Sequence, residues 1–206
     1  MDRQAIGRRI IELCQRHGLC HLGSCFSCLP ILLDLYERHG EDVIILSNGH
    51  AGVALYAVLE ARFGFDAEEL VQHHGVHPRH DPERRIYCST GSLGMGLAVA
   101  VGYALAGRPT HCILSDGECA EGIVWESLAF AATVPNLPLA VHVNANGWSA
   151  TAAVDVERLE WRLKAFWPRV RLWRTSNQPF PDDLAAHYAV LDAQQAEHFQ
   201  SLIPSP

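Results

Sequence analysis

The apolar and polar positions of the chain follow the periods of a parallel α/β fold. Two short apolar runs, residues 111–114 and 139–143, have the length of buried strands. Residues 121–134, between them, carry apolar side chains at helical spacing, which predicts a helix that connects two parallel strands. The same criteria predict three further elements: helices at 25–35 and 156–166, and a strand at 170–175. This pattern indicates a three-layer αβα domain with a mainly parallel sheet.

Polar residues stand where the two predicted strands end. Asp116 follows the first strand, and Asn146 closes the second. Open α/β sheets bind ligands at the carboxyl ends of their strands, so both side-chain oxygens would lie at the same edge. A hard cation such as Mg²⁺ takes oxygen ligands, usually one or two of them from the protein. A cation site and two ordinary turns, at Asp116-Gly117 and Asn146-Gly147, are both compatible with these residues.

A glycine-rich segment, residues 91–96, begins another predicted helix. Small residues leave the N–H groups of a helix start accessible, and these groups together with the helix dipole favour an anion such as a diphosphate. The alternative is that the glycines allow Leu93 and Leu97 to pack closely, because a glycine-rich motif alone is a weak indicator of a ligand.

Four further sequence motifs follow one another along the chain. They are Cys20-His21-Leu22-Gly23-Ser24, Leu46-Ser47-Asn48-Gly49-His50-Ala51, Gly75-Val76-His77-Pro78 and Ser89-Thr90-Gly91-Ser92-Leu93-Gly94-Met95-Gly96. With these segments, residues 5–150 resemble the transketolase branch of the thiamine diphosphate enzymes. The chain departs from the family at Ser115, where the family has glycine, and at Met95, where it usually has glutamine. The carboxylate of Asp116 is kept, whereas a polar side chain is lost at Met95.

The resemblance implies thiamine diphosphate and Mg²⁺ (or Ca²⁺) as cofactors. The cation would be bound by the side-chain oxygens of Asp116 and Asn146 and by the backbone carbonyl of Trp148. The residues implied to contact the cofactor are His50, Gly94, Met95, Gly96, Asp116, Gly117, Glu118 and Asn146.

Catalytic roles are implied for His21, His50, His77, Glu121 and His187. By the resemblance, His21 and His77 contact substrate oxygens, His50 lies near the diphosphate, and Glu121 links the two active sites of a dimer. An imidazole exchanges protons near neutral pH, which suits chemistry on sugar hydroxyls. The alternatives are ordinary loop histidines and an exposed glutamate in a first helical turn. Three histidines outside the motifs are expected in solvent: His73, His74 and His80.

One part of a transketolase is missing from the sequence. The glutamate that activates the cofactor belongs to a pyrimidine-binding domain, and no segment after Asn146 resembles it. Residues 1–206 are expected to form a single diphosphate-binding domain, shortened from about residue 150. The resemblance therefore implies one subunit of a split transketolase, active only with a C-terminal subunit in a heterotetramer. Such an enzyme transfers a two-carbon ketol unit from a ketose to an aldehyde.

Composition narrows the possible partners and compartments. The formal net charge of −7 argues against nucleic acid, and no apolar run reaches the ~20 residues that cross a membrane. Without a secretory signal at the start, a cytoplasmic location is expected, and seven cysteines imply no disulfide framework. Four aromatic residues could cover a partner, although packing against the domain's own sheet is the preferred interpretation: Trp161, Phe166, Trp167 and Trp173.

Three other functions stay open at this stage. The first is a zinc-binding module, because Cys14, Cys20, His21, Cys25 and Cys28 lie close in sequence and one pair has metal-ligand spacing. The second is a thiamine diphosphate enzyme that transfers an acyl or glycolyl unit to a carrier protein. The third is a non-catalytic scaffold subunit with the same fold.

Overall fold

A parallel sheet of four strands runs through the centre of the chain, of which the computed structural model describes residues 1–180 and 188–204. The strands are β1 (Val43–Leu46), β2 (Thr110–Ser115), β3 (Leu139–Ala145) and β4 (Arg171–Arg174). They lie side by side in chain order, and every neighbouring pair is parallel. The strands predicted at 111–114, 139–143 and 170–175 are confirmed as β2, β3 and β4.

The described residues also form eight α-helices. They are α1 (Arg3–His17), α2 (Leu22–Arg38), α3 (Gly52–Phe63), α4 (Ala67–His74), α5 (Met95–Leu105), α6 (Gly122–Thr133), α7 (Val156–Phe166) and α8 (Ala193–Ser201). Short 3₁₀ turns lie at Gly49–Ala51, Pro82–Arg84 and Gly117–Ala120. The helices predicted at 25–35, 121–134 and 156–166 are confirmed as parts of α2, α6 and α7.

Alternate residues of β1 and β2 pack into different apolar clusters. Ile44, Leu46 and Ile113 belong to a cluster with α1, α2 and α3. Ile45 and Cys112, which point the opposite way, belong to a second cluster with α5, α6 and α7. Helices therefore cover both faces of the sheet, and the predicted three-layer α/β fold is confirmed.

A row of polar side chains crosses the sheet at Asp42, His111, His142 and Trp173. The Trp173 indole N–H donates to Nδ1 of His142, at 3.2 Å. A neutral His142 must then carry its proton on Nε2, which lies 3.2 Å from Nδ1 of His111. By the same logic, the Nε2–H of His111 donates to Asp42 Oδ2, at 3.2 Å. The row is therefore a directed chain of hydrogen bonds that ends on a carboxylate.

Both histidines of this row are held neutral by their surroundings. Burial, followed by the neighbouring His111 ring, lowers the pKa of His142 to about 3. Burial also lowers the pKa of His111, while the contact with Asp42 opposes this shift. Protonation of either ring would place a charge inside the fold and disrupt the chain of hydrogen bonds from Trp173 to Asp42.

We expect the chain to lose stability in mild acid because of His142. Its pKa is about 3 when folded and about 6.5 when unfolded, so the unfolded chain binds more protons between these values. Stability is therefore full above about pH 6.5 and is lost as the pH falls below it. The expected loss is about 2 kcal/mol between pH 7 and pH 5. Urea unfolding at both pH values measures it, and the variant His142→Gln should show a shallower dependence. Equal dependence in both proteins would contradict the assignment.

The expected positions of two side chains outside the site, His74 and Trp161, need correction. His74 is buried rather than in solvent, because its ring stacks on Tyr56 and its Nε2 lies 3.5 Å from Asp81 Oδ2. His73 and His80 are exposed, as predicted.

The four aromatic residues that were expected to pack against the sheet differ in how deeply they are buried. Trp167 is buried, and Trp173 packs against the first cluster, as expected. Trp161 is 73% exposed, so its predicted packing against the sheet is wrong. Phe166 is half exposed and contacts Trp125 edge-on. The outer face of α7 thus keeps an accessible aromatic side chain.

Candidate active site

A cavity of about 460 Å³ opens where β2 and β3 end. Eight of the residues that the sequence analysis assigned to the site line this cavity: His21, His50, His77, Gly117, Glu118, Glu121, Asn146 and Trp148. Tyr188, from the far end of the chain, lines it as well. The structure thus brings together motifs that lie more than 100 residues apart in the sequence.

Asp116 borders a second, neighbouring cavity and ties the two strand-end loops together. Its Oδ1 accepts the N–H of Gly117 at 3.0 Å, and its Oδ2 accepts the N–H of Gly147 at 2.7 Å. Burial raises the pKa of Asp116 to about 6, although these N–H groups oppose the shift. No lysine or arginine of the described residues forms a salt bridge with it. A buried carboxylate without a cationic partner suits a site for a metal ion.

Asn146 presents its amide oxygen to the same loop. Its Nδ2 donates to Ser27 Oγ at 3.2 Å and to Asn177 Oδ1 at 3.0 Å, so the amide cannot turn over without losing both bonds. Its Oδ1 accepts the N–H of Trp148 at 3.0 Å. The side chain is held with its oxygen toward the loop that would bind a cation.

The third predicted ligand, the Trp148 carbonyl, lies close to Gly117. A Cβ added to Gly117 would lie 3.8 Å from this oxygen and 3.1 Å from the Cα of Ser149. The space between the two loops is therefore kept open by the absence of a side chain. A carboxylate, an amide oxygen and a carbonyl are the donors that Mg²⁺ and Ca²⁺ prefer, so the residues present fit the implied cation.

Two residues that position Asn146 were not predicted. Ser27 and Asn177 hold its amide nitrogen, and Asn177 also lies 3.3 Å from the position of a Cβ on Gly23. Asn177 thus connects the loop after β4 to the loop that carries His21. Neither residue belongs to a recognisable motif, so their part in the site depends on the three-dimensional contacts alone.

Two amides of the glycine-rich segment donate hydrogen bonds within the chain. The Gly94 N–H donates to Glu118 Oε1 at 2.8 Å, so this amide is not available to a diphosphate. Met95 is 43% exposed, and its N–H donates to the Ser92 carbonyl at 3.3 Å. Gly96 lies against Ser47, where a Cβ would approach within 2.5 Å. Contacts of these three residues with the cofactor stay predictions.

Glu118 lines the cavity, but its carboxylate is held by groups of the protein. Its side chain is fully buried, and both carboxylate oxygens accept hydrogen bonds from the chain itself. The predicted contact of Glu118 with the cofactor stays a prediction, and in this structure its carboxylate is occupied by hydrogen bonds from the chain itself.

The histidines of the cavity form one wall. The rings of His21 and His50 lie 5.6 Å apart, and Tyr188 contacts His21 edge-on at the same distance. His21 has a left-handed backbone with φ 68° just before α2, which turns its side chain out of the helix. His77 lies opposite Gly91, and burial lowers the pKa of its imidazole. A histidine ring can donate or accept a hydrogen bond, which suits contact with the hydroxyl groups of a substrate.

The remaining predicted residues differ in how far they are described. Glu121 is exposed at the start of α6 and lines the cavity. His187 lies outside the described residues, so its role stays a prediction.

The cysteine-rich segment does not form a metal site. All seven cysteines are free thiols. Within the described part of the chain, the groups with metal-ligand geometry are His39/Asp42/His111 and His73/His74/Asp81, and neither contains a cysteine. The zinc module proposed from the sequence has no ligand set here.

A parallel α/β fold with a polar cavity at its strand ends is typical of domains that bind a ligand there. The family model described as "Transketolase, thiamine diphosphate binding domain" matches residues 36–204. The chain belongs to this family.

Several known proteins are similar to the chain. The 6-deoxy-6-sulfo-D-fructose transketolase subunit SqwG of Clostridium sp. strain MSTE9 is 36% identical, over 61% of this chain and 54% of that protein. An apulose-4-phosphate transketolase subunit of Phocaeicola vulgatus is 31% identical, over 58% and 50%. Human transketolase is 38% identical, over 67% and 26%. The chain therefore spans about half of the two bacterial subunits and about a quarter of the human enzyme.

Solved structures agree on the fold. Transketolase from Leishmania mexicana superposes with a TM-score of 0.78 at 17% identity, covering 98% of this chain and 40% of that one. Transketolase from Campylobacter jejuni gives a TM-score of 0.64 at 16% identity, covering 96% and 43%. At these identities the likeness concerns the fold alone. Separately, none of the described helices has the length and apolar character needed to span a membrane.

Proposed function

We propose that this chain is the diphosphate- and Mg²⁺-binding subunit of a two-subunit transketolase-like enzyme. The complete enzyme would transfer a two-carbon ketol unit from a ketose to an aldehyde in the cytoplasm. The observation that carries the proposal is the arrangement of Asp116, Asn146 and the Trp148 carbonyl around one loop pair, beside a cavity lined by three histidines.

Each part of the site has a task in this proposal. Asp116, Asn146 and the Trp148 carbonyl would hold the cation, and with it the diphosphate. When bound, thiamine diphosphate supplies the carbanion chemistry that breaks and forms a carbon–carbon bond next to a carbonyl. His21 and His77 would bind substrate hydroxyls, and His50 would lie near the diphosphate. Glu121 would face the partner, from which the activating glutamate comes.

The surface of α5 and α6 supports the need for a partner subunit. From Met95 to Gly107 the chain contains no charged residue. Large apolar side chains are nevertheless exposed on and beside these helices: Leu93, Met95, Leu105 and Phe130. Helices of this composition are normally covered by protein. We infer that a C-terminal subunit with the pyrimidine-binding domain covers them, in a heterotetramer with two copies of each chain.

The proposal is tested by calorimetric titration of thiamine diphosphate with Mg²⁺. The titrations use the chain alone and the chain co-expressed with a candidate pyrimidine-domain subunit. We expect binding only in the complex, because half of the cofactor pocket would lie in the partner. Binding there, followed by ketol transfer between added ketoses and aldehydes, would support the proposal. Absence of binding in both samples would favour the non-catalytic scaffold instead.

Transfer to a carrier protein is a second candidate, favoured by the outer face of α7. Arg158, Trp161 and Arg162 lie on one face of this helix, and both arginines border the cavity beside the Ser149 loop. Aromatic and arginine side chains are enriched at protein interfaces, and a positive face suits an acidic partner. In this case Trp161→Ala should slow transfer to a carrier protein but leave transfer to a free aldehyde unchanged.

The His77→Ala variant should bind the cofactor normally and turn over slowly. His77 lines the cavity but is not one of the three predicted cation ligands, so cofactor affinity should stay within about 3-fold, whereas loss of a proton-transferring imidazole typically costs about 10²-fold or more in kcat. Titration and steady-state kinetics of the complex measure both quantities. His80→Ala, three residues away and exposed, is the matched control. Full activity of His77→Ala would remove this histidine from the mechanism.

A further inference from the structure

Glu118 is a fully buried acid that forms no salt bridge within the described part of the chain. Its Oε1 accepts the hydroxyl of Ser47 at 2.7 Å and the N–H of Gly94 at 2.8 Å. Its Oε2 accepts the N–H of Ser115 at 2.9 Å and the hydroxyl of Ser115 at 3.4 Å. These hydrogen bonds offset part of the cost of burying the charge, although burial still raises the pKa of Glu118.

The donors come from three separate segments, and each segment carries a residue of the candidate site. Ser47 begins the turn that leads to His50. Gly94 immediately precedes α5, where the glycine-rich segment meets the loop after β1. Ser115 is the last residue of β2 and is followed by Asp116. One carboxylate therefore fixes the relative positions of three loops around the cavity.

The chemistry of the donors explains why this position needs a carboxylate. The two hydroxyls can rotate and exchange the roles of donor and acceptor, but the N–H groups of Gly94 and Ser115 can only donate. Each of these N–H groups points at a different carboxylate oxygen. A glutamine has the same shape but only one oxygen. In either orientation its NH₂ group would face one of the two backbone N–H groups, and one hydrogen bond would be lost.

Ser115 belongs to the same arrangement. Its hydroxyl accepts the backbone N–H of Glu118 at 3.2 Å while also lying near Oε2. A glycine at this position, as in the family pattern, would provide the backbone contact but not the hydroxyl. The departure from that pattern therefore adds a contact to Glu118.

We propose that Glu118 is the positioning residue of this site, whose buried carboxylate holds the Ser47, Gly94 and Asp116 segments in the arrangement that receives the cofactor. The claim that these segments receive the cofactor rests on the proposed function. The claim that Glu118 holds the segments in place can be tested in the cofactor-free chain. In this role Glu118 acts through its neighbours, because its carboxylate oxygens accept hydrogen bonds from them.

The test compares Glu118→Gln with two controls in the full chain. Glu157→Gln makes the same change on the exposed side of α7. Ile10→Ala removes buried core volume in α1 and accounts for a general loss of stability. Hydrogen exchange followed by NMR measures the exchange rates of the Gly94 and Ser115 amides in the absence of cofactor. Calorimetric titration of thiamine diphosphate with Mg²⁺ reports affinity in the complex.

The expected result in Glu118→Gln is at least about 10-fold faster exchange at one of the two amides and at least about 10-fold weaker cofactor binding. Both controls should stay within about 3-fold of the wild type in affinity. If exchange at Gly94 and Ser115 is unchanged in Glu118→Gln, the inference is overturned. It is also overturned if Ile10→Ala loses as much cofactor affinity as Glu118→Gln. Neither result would contradict the proposed function. If the wild-type complex binds no cofactor, the proposed function falls, and the cofactor role of Glu118 falls with it. The exchange data would still decide whether Glu118 holds the loops.

Discussion

Replacement of Asp116 by alanine is expected to abolish Mg²⁺-dependent binding of thiamine diphosphate. This carboxylate is the single anionic oxygen donor among the three predicted cation ligands. Substitutions that only disturb the surroundings of a metal ligand already cost about 10–100-fold in affinity, so loss of the ligand itself should cost more. The folded chain should survive, because the change also removes a buried charge whose pKa is raised to about 6 by desolvation.

Two measurements separate this effect from unfolding. Thermal unfolding without cofactor should change by only a few degrees, and titration of the complex should show no heat of binding. Asp155→Asn is the matched control, because Asp155 borders the neighbouring cavity, and asparagine can still cap α7. Unchanged cofactor affinity in Asp116→Ala would show that the cation, if bound, lies elsewhere.

Gly96→Ala is expected to have the second large effect, this time through packing. A Cβ at Gly96 would lie 2.5 Å from Cβ and 2.7 Å from Cα of Ser47, far inside normal contact. The start of α5 would have to move away from the loop after β1. Overpacking of this kind costs about 1–3 kcal/mol. The shift would also separate Gly94 from Glu118, so cofactor affinity should fall with stability.

The same helix contains its own control for that substitution. Gly102 lies in the interior of α5, and a Cβ there would meet no atom within 4 Å. Gly102→Ala should be neutral or stabilise the chain by up to about 1 kcal/mol, because alanine favours the helix. Chemical denaturation of the two variants measures the difference. Equal stability of both would mean that α5 can shift at no cost.

The parts of the fold that the sequence predicted are those with local causes. Strands β2 and β3 are continuous apolar runs, and α7 has one apolar face, so their periods are visible without neighbours. The meeting of Asp116 and Asn146 followed from parallel pairing, which places the ends of adjacent strands together.

The side-chain contacts that the sequence did not predict depend on distant partners. Glu118 follows an ordinary turn, and its burial depends on Ser47 and Gly94, which lie 71 and 24 residues away. His142 lies in a strand, as predicted, but its hydrogen bond from Trp173 of the neighbouring strand was not visible in the sequence. His74 appeared to be one histidine among several in a polar stretch, and only Tyr56 and Asp81 explain why it is buried.

The division of the interior by the sheet has an evolutionary consequence. One apolar cluster lies under α1, α2 and α3, and the other under α5, α6 and α7. Substitutions on opposite faces share no side-chain neighbours, so their effects on stability should add to within about 0.5 kcal/mol. The face beneath α5 and α6 could therefore accumulate changes that match a new partner, while the packing of the opposite face remained as it was.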